Sequence, residues 1–209
     1  MFFVSQSRSQ FKYGTSDASE VTLSFWVRSN KTGTYICEFF QQGNTRQQSQ
    51  TYTIDSADTW EQKTITIDGD TASTLANDNS DEFSVHWWLG AGQDYDGGNP
   101  LDFPFLTQEL NTSWNTSANR SHAYGGTNIC DSTSNEWYIT GVQLEIGNQR
   151  SSFEHRSYGD ELRRCQRYYY KTQPGQYRSF AMGYNRNTTL THAFTTFPVP
   201  MRTAPSVEA

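Results

Sequence analysis

The chain has 209 residues, a formal net charge of −6 and a mean hydropathy of −0.79; 34% of its residues are hydrophobic and 15% are aromatic. The acidic balance argues against a nucleic-acid-binding groove. No apolar run reaches the roughly 20 residues that cross a bilayer, which argues against membrane insertion. Because the apolar content lies below the roughly 45–50% of an average globular chain, we expect a thin core of large aromatic side chains, as in a two-layer β-sandwich.

Alternation of apolar and polar residues predicts the first two strands. One face of the first strand carries Val21, Leu23, Phe25 and Val27. A turn at residues 30–33 leads to the second strand, whose inward residues are Tyr35, Cys37 and Phe39. Residues 41–50 are polar and predict a loop.

Two further strands follow. Residues 60–67 predict a third strand with Ile65 and Ile67 facing the core. A fourth strand runs over residues 83–89, and its polar face carries Ser84, His86 and Trp88. Together with the first two, these strands predict an all-β sandwich.

Residues 90–134 have no periodicity and predict a long insertion, which in a compact domain is more often functional or packed on a neighbour than idle. Asp94, Asp96 and Asp102 lie there among glycines and are candidate oxygen ligands for calcium. Their spacing does not meet that of an EF-hand loop, and solvated turn carboxylates are the alternative. The same acids also raise the alternative of a polysaccharide depolymerase, which requires two carboxylates about 5–10 Å apart. The sequence carries no such pairing, and we expect no enzyme.

Three tryptophans are candidates for contact with sugar rings. Trp26 and Trp88 lie on the polar faces of their strands, and Trp114 lies in the insertion. Indole rings stack on sugars, and neighbouring Asn, Gln and Asp side chains bind hydroxyl groups. The alternative is that these rings pack under the insertion or against a neighbouring subunit.

Residues 137–171 predict a strand, a polar turn and a short amphipathic helix. The helix opens at residues 158–161 with acidic residues in its first turn, where the helix dipole favours them. Leu162, Cys165 and Tyr169 share one side of it and are the candidate assembly residues. Beyond the helix, residues 177–184 and 189–197 predict strands of a second β-region.

The number and spacing of the cysteines argue against two classes of site. Cys37, Cys130 and Cys165 are widely spaced, odd in number and without a CxxC pair, which argues against a disulfide framework and a zinc site. Cys37 in its strand and Cys165 on the predicted buried side of the helix are interpreted as small core residues.

Three blocks of the sequence resemble a known family. They are GVQLE with FEHRSYGDEL and CQRYY within residues 141–169, VTLSFWVRSNKTGTYICEFF with DTWEQKTITIDGDT within residues 21–71, and FPVPMRTAPSVEA at residues 197–209. The chain is similar to large virion structural proteins of tailed phages, many from marine and cyanobacterial hosts. The blocks stand in the family's order, and the resemblance covers nearly the whole chain.

The resemblance implies a fold and a division of the chain. Residues 1–153 would form a jelly-roll sandwich similar to carbohydrate-binding modules, residues 154–171 a junction and short helix, and residues 172–209 the start of a C-terminal β-module. Glu154, His155 and Arg156 match the family's junction, where we interpret their charges as fixing the incoming helix. Such modules carry adjacent aspartates for a structural calcium in a late strand, but the matching residues 139–142 contain no carboxylate. The abrupt beginning at Met1 and the ending within a strand-like pattern lead us to expect a piece of a longer protein.

The resemblance also implies a function. We expect a homotrimeric tail fibre or similar appendage, assembled in the host cytoplasm and located in the virion, that contacts other virion proteins and a host-surface glycan. A decoration or adaptor protein of the capsid or tail, with purely structural contacts, is the alternative.

Overall fold

The computed structural model of the protein describes residues 2–4, 8–75, 81–92, 109–116, 122–171, 181–202 and 204. The chain divides into two compact units, residues 1–153 and residues 154–209. The described residues form mainly β-strands, which confirms the predicted all-β class.

The first unit contains two antiparallel sheets. In its described residues the strands are β1 (Phe2–Val4), β2 (Val21–Ser29), β3 (Gly33–Gln41), β4 (Arg46–Ile54), β5 (Glu61–Ile67), β6 (Asp81–Trp88), β7 (Asn115–Thr116) and β8 (Trp137–Ile146). One sheet has the order β1-β6-β3-β4-β7 and the other the order β5-β2-β8. A short helix α1 (Arg8–Phe11) precedes β2, and a turn of 3-10 helix (Ile129–Asp131) precedes β8. Successive strands pass repeatedly from one sheet to the other.

The inward faces of the two sheets share one core. The predicted inward residues of β2 and β3 are fully buried, and so the predicted alternation is confirmed for Val21, Leu23, Phe25, Val27, Tyr35, Cys37 and Phe39. Ile65 and Ile67 of β5 and Phe83 and Val85 of β6 belong to the same core. The ring of Phe25 meets the rings of Tyr52 and Trp87 edge-on, with centroids 5.1 and 5.6 Å away. Since these partners belong to the opposite sheet, aromatic contacts hold the two layers together.

The predicted loop over residues 41–50 is wrong, because Arg46–Ile54 is the strand β4. The side chains of Gln47, Gln48 and Ser49 are buried rather than solvated, and the insertion supplies partners for the last two of these residues. The backbone N–H of Ser49 donates to the carbonyl of Asn111 at 2.7 Å, and the amide of Gln48 donates to the carbonyl of Thr112 at 2.7 Å. The hydrogen-bond partners of these β4 residues therefore come from a segment distant in sequence, and the local sequence pattern of β4 does not predict them.

A β-bulge interrupts the pairing of β2 with β8. The register shifts between Ser24 and Trp26, and opposite this point Gly141 has a positive φ of 58°. A side chain at position 141 would be strained in this conformation, and glycine avoids that strain. The bulge therefore sets the orientation of the β2 side chains that lie on the outer face of the sheet.

The second unit contains the helix α2 (Tyr158–Gln166) and, among its described residues, the hairpin of β9 (Met182–Asn185) and β10 (Thr191–Phe194). The predicted helix is confirmed, and Ser157 caps it by accepting a hydrogen bond from the N–H of Asp160 at 3.2 Å. The second predicted strand is shorter than expected, and residues 177–180 of the first lie outside the described residues. Cys165 is exposed, so its interpretation as a core residue is wrong. The reason is that α2 buries no side chain in this chain.

Replacing Phe25 by alanine should destabilise the first unit by about 3–5 kcal/mol, because it removes a fully buried ring that joins the two sheets. The free energy of unfolding, measured by urea denaturation, checks this. Thr53→Ala, at an exposed position of β4, is the control and should change stability by less than about 0.5 kcal/mol. Equal losses in the two variants would contradict the two-layer core.

Candidate functional site

A buried carboxylate lies on the outer face of the five-stranded sheet. Glu38 of β3 is 2% exposed and stands in one cross-strand row with His86 of β6 and Ser49 of β4. Its Oε1 lies 2.5 Å from Nδ1 of His122, and its Oε2 lies 3.1 Å from Nδ1 of His86. The indole N–H of Trp88 donates to Oε2 at 2.9 Å. Three side chains, two from β6 and one from the insertion, therefore converge on one carboxylate.

Two opposing effects act on this carboxyl group. Desolvation raises the pKa of Glu38, but the hydrogen bonds from His122 and His86, together with their charge, outweigh it and lower the pKa to about 2. Glu38 is therefore a carboxylate at neutral pH. Both of its oxygens already accept hydrogen bonds from protein groups, so the arrangement suits a structural anchor better than an acid or base.

The anchor holds part of the insertion on the sheet. The hydroxyl of Ser49 donates to the carbonyl of His122 at 2.7 Å, and the N–H of Thr127 donates to the carbonyl of Thr34 at 2.7 Å. Ile36 points outward from the sheet, yet it is fully buried. Its side chain lies beside Gly126, where an added Cβ would come within 3.1 Å of it. Residues 122–128 thus cover this end of the outer face.

A second buried ion pair fixes the rim of the same sheet. Arg46 reaches Asp70 with contacts of 2.5 and 2.9 Å, and Gln41 donates to the same carboxylate at 2.9 Å. Asp70 is buried, and its backbone carbonyl accepts a hydrogen bond from Gly14 at 2.8 Å. These contacts join β3, β4 and the segment before β2, which is a structural role.

The three candidate tryptophans do not come together. Trp88 is half-buried beside Glu38, and Trp114 is half-buried with its ring against Tyr13 and Phe83 and its N–H donating to the carbonyl of Asp68 at 2.7 Å. Both match the packing alternative of the sequence analysis. Trp26 lies on the outer face of the other sheet and is exposed. Of the three tryptophans, Trp26 has the most solvent-exposed side chain.

The candidate calcium ligands Asp94, Asp96 and Asp102 lie outside the described residues. Within the ranges that are described, no three or more His, Cys, Asp or Glu side chains are grouped so as to hold a metal ion. None of the helices in the described part of the chain has the length and hydrophobicity of a membrane-spanning segment.

One stripe of side chains, which we call the α2 seam, is made of Tyr158, Leu162 and Cys165 of helix α2 and of Tyr169, which lies beyond the end of the helix and not on it as predicted. All four are exposed, including the predicted assembly residues. Their spacings of four, three and four residues are those of a coiled-coil seam. Hydrogen bonds of 3.0 Å from the N–H groups of Tyr168 and Tyr169 to the carbonyl of Cys165 carry the turn past Gln166.

Charged groups fix the start of α2. Arg156 contacts Glu154 at 2.5 Å and Glu161 at 3.3 Å, so the junction residues join the helix's first turn as interpreted from sequence. Asp160 and Glu161 stand in the first turn and Arg163 and Arg164 in the last, in accord with the helix dipole.

The hairpin presents a second uncovered surface, the hairpin face, made of Met182, Tyr184, His192 and Phe194. Tyr184 stacks on His192 at 5.5 Å and on Phe194 at 6.2 Å between ring centroids. Met182 is 84% exposed and Phe194 63%. Sequence reasoning missed this set, although the alternation of Met182 with Tyr184 and of His192 with Phe194 was a signal for it.

No family model matches the chain, and neither the curated proteins nor the solved structures give a match. The resemblance to phage virion proteins therefore stays a prediction.

Lowering the pH from 4.5 to 2 should remove the stability that ionised Glu38 supplies. Its folded pKa of about 2 lies below the ordinary 4.5, so its contribution is present above pH 4.5 and is lost as pH falls through 2. The shift corresponds to about 3 kcal/mol. The free energy of unfolding of Glu38→Gln should therefore fall below that of the unmodified protein at pH 5, and the two should converge near pH 2.

Glu136→Gln, which changes an exposed carboxylate of the same unit, is the control and should show a much smaller difference at pH 5. A constant difference between Glu38→Gln and the unmodified protein from pH 5 to pH 2 would contradict the assignment of Glu38 as the buried carboxylate.

Proposed function

We propose that this chain is a structural protein of a tailed-phage virion, part of a tail fibre or similar appendage that attaches to a host surface and works as a homotrimer without catalysing a reaction. Two things support the proposal. One is the resemblance of three sequence blocks to virion proteins, and the other is the uncovered apolar surface of the second unit.

The single observation that carries the proposal is that, among the described residues of the second unit, the apolar side chains of the α2 seam and of the hairpin are exposed. A nine-residue helix is marginal in water without a packing partner. A two-stranded hairpin is likewise marginal on its own. The α2 seam and the hairpin face are therefore suited to burial between subunits, since burying each large side chain contributes roughly 1.5–3 kcal/mol.

Other copies of the same chain are the partner that the charges favour. Helix α2 carries carboxylates in its first turn and arginines in its last, so its charge pattern can complement that of another copy. A partner of one predominant charge would leave half of these groups unmatched. The seam is too short to fix the number of copies by heptad rules, and the trimer rests on the resemblance.

The jelly-roll topology is part of the same proposal. All pairings within the two sheets are antiparallel, and the chain crosses between the sheets from β2 to β3, from β4 to β5 and from β5 to β6. Repeated crossing of this kind is the way a jelly roll is wound. Such a body is rigid and suits a mechanical role.

Replacing the α2 seam by polar residues should dissociate the assembly. The unmodified chain should have about three times the 23.9 kDa mass of one copy in light scattering after size exclusion. Leu162→Gln combined with Tyr169→Gln should shift it toward one copy, because it removes two uncovered apolar side chains from the seam.

Arg167→Gln is the matched control: it introduces the same side chain at the C-cap of α2, on the side opposite the seam, and should leave the mass unchanged. A monomer for the unmodified chain at concentrations up to about 1 mM, or a trimer that persists in the double variant, would contradict the proposal.

A further inference from the structure

The outer face of the three-stranded sheet carries three partly exposed aromatic side chains that do not belong to the hydrophobic core. Trp26 of β2, Trp60 just before β5 and Tyr138 of β8 are 39%, 43% and 44% exposed. Large aromatic rings are usually buried, and three of them on one sheet face indicate a surface that contacts something. We call this set the aromatic face.

Strand register places the three rings side by side. Trp26 lies between Gln62 of β5 and Thr140 of β8, and Arg28 lies opposite Tyr138. Glu61 pairs with Val27 in the antiparallel register of β2 and β5. Trp60 precedes Glu61 and therefore lies next to Arg28, the residue that follows Val27. The N–H of Asp58 donates to the carbonyl of Ser29 at 2.8 Å, which keeps the chain alongside β2 through this point. Trp26 and Trp60 are thus diagonal neighbours on one face.

The backbone of β8 makes room for the ring of Trp26. A Cβ added to Gly141 would stand 3.2 Å from Cδ1 of Trp26 and 4.0 Å from Cδ2 of Phe153. Because Gly141 also has a positive φ of 58°, a larger residue there would be both strained and crowded against the indole. The indole therefore lies over the backbone of β8 at Gly141.

The polar groups of Trp26 are available, in contrast to those of Trp88 and Trp114. The latter two donate their indole N–H groups to Glu38 and to the carbonyl of Asp68. No residue in the described ranges accepts a hydrogen bond from the N–H of Trp26. Beside it, Gln62 and Thr140 bring an amide and a hydroxyl, which both donate and accept hydrogen bonds.

On this face, the positive charge of Arg28 is already compensated. Arg28 pairs with Asp58 at 3.1 Å and stacks on Tyr138, whose hydroxyl donates to Glu136 at 2.8 Å. The cation is thus neutralised, and the carboxylate of Glu136 remains to repel an anion. The rings are separated by hydrophilic side chains, a pattern that differs from the continuous apolar core of a protein interface. An uncharged ligand with apolar ring faces and many hydroxyl groups matches this combination.

We infer that the aromatic face is a binding site for a neutral oligosaccharide. Trp26 and Trp60 supply the surfaces on which sugar rings stack, and Gln62, Thr140 and the N–H of Trp26 bind hydroxyl groups. The inference adds a ligand class to the attachment role proposed above. A single copy carries all the named residues, so this binding does not depend on assembly.

Saturation-transfer NMR and tryptophan fluorescence titration of the full chain test the inference, with cellohexaose, chitohexaose, maltohexaose and laminarihexaose as neutral probes and hexagalacturonic acid as the acidic probe. We expect at least one neutral probe to bind, with Kd on the order of 1 mM or below. Trp26→Ala and Trp60→Ala should each weaken that binding about tenfold or more, while Gln62→Ala should weaken it less. Ile146→Ala removes an equally exposed apolar side chain from β8 outside the face and should leave Kd unchanged.

Each of the other outcomes overturns the inference. These are no binding of any neutral probe, preferred binding of the acidic probe, or equal affinity in Trp26→Ala and the unmodified chain. Loss of the oligomer in Trp26→Ala or Trp60→Ala, read by light scattering, would instead identify the face as an interface between copies. Far-ultraviolet circular dichroism and the melting temperature of each variant check that the fold is intact. Failure of the assembly proposal is read separately, from the mass of the α2 seam variants.

Discussion

Burial of aromatic rings between the two sheets determines where every other feature of the first unit lies. Phe25 meets Tyr52 and Trp87 across the layers, and apolar side chains from β2, β3, β4, β5 and β6 form one core between the sheets. Since successive residues of a strand alternate between faces, filling the core fixes which residues point outward. The core therefore determines which residues lie on the two outer faces, and the two faces differ in what covers them.

Residues 122–128 cover part of the outer face of the five-stranded sheet, whereas the outer face of the three-stranded sheet carries the exposed rings of Trp26, Trp60 and Tyr138. On the first face, Glu38 would be costly to bury alone, and His86, His122 and Trp88 compensate it with hydrogen bonds while they hold residues 122–128 in place. On the second face, Arg28 is already paired with Asp58. The same sheet architecture thus carries a buried carboxylate on one face and exposed aromatic rings on the other.

How far the sequence predicts the structure depends on where each residue finds its partners. The strands β2 and β3 follow from alternation alone, because their inward residues from Val21 to Val27 and from Tyr35 to Phe39 are apolar. Strand β4 does not, since Gln48 and Ser49 are buried through hydrogen bonds to residues 111–122, a pairing that no local pattern reveals. For the same reason, sequence reasoning placed Trp88 and Trp26 in one class, although only Trp88 has Glu38 as an acceptor. The exposure of Cys165 escaped prediction because amphipathicity shows which side of a helix is apolar but not what covers it.

The open aromatic face and the uncovered second unit are complementary if copies of the chain assemble. A site built on two exposed indoles and a few neutral polar groups offers few contacts per sugar, so binding by a single copy is weak. Joining copies through the α2 seam and the hairpin face would make each further binding event intramolecular, with an effective concentration far above that of free protein. Avidity would then come from the number of copies and not from a deep pocket. In a protein that attaches through repeated copies, an apolar second unit and a shallow sugar-binding face would be two parts of one design.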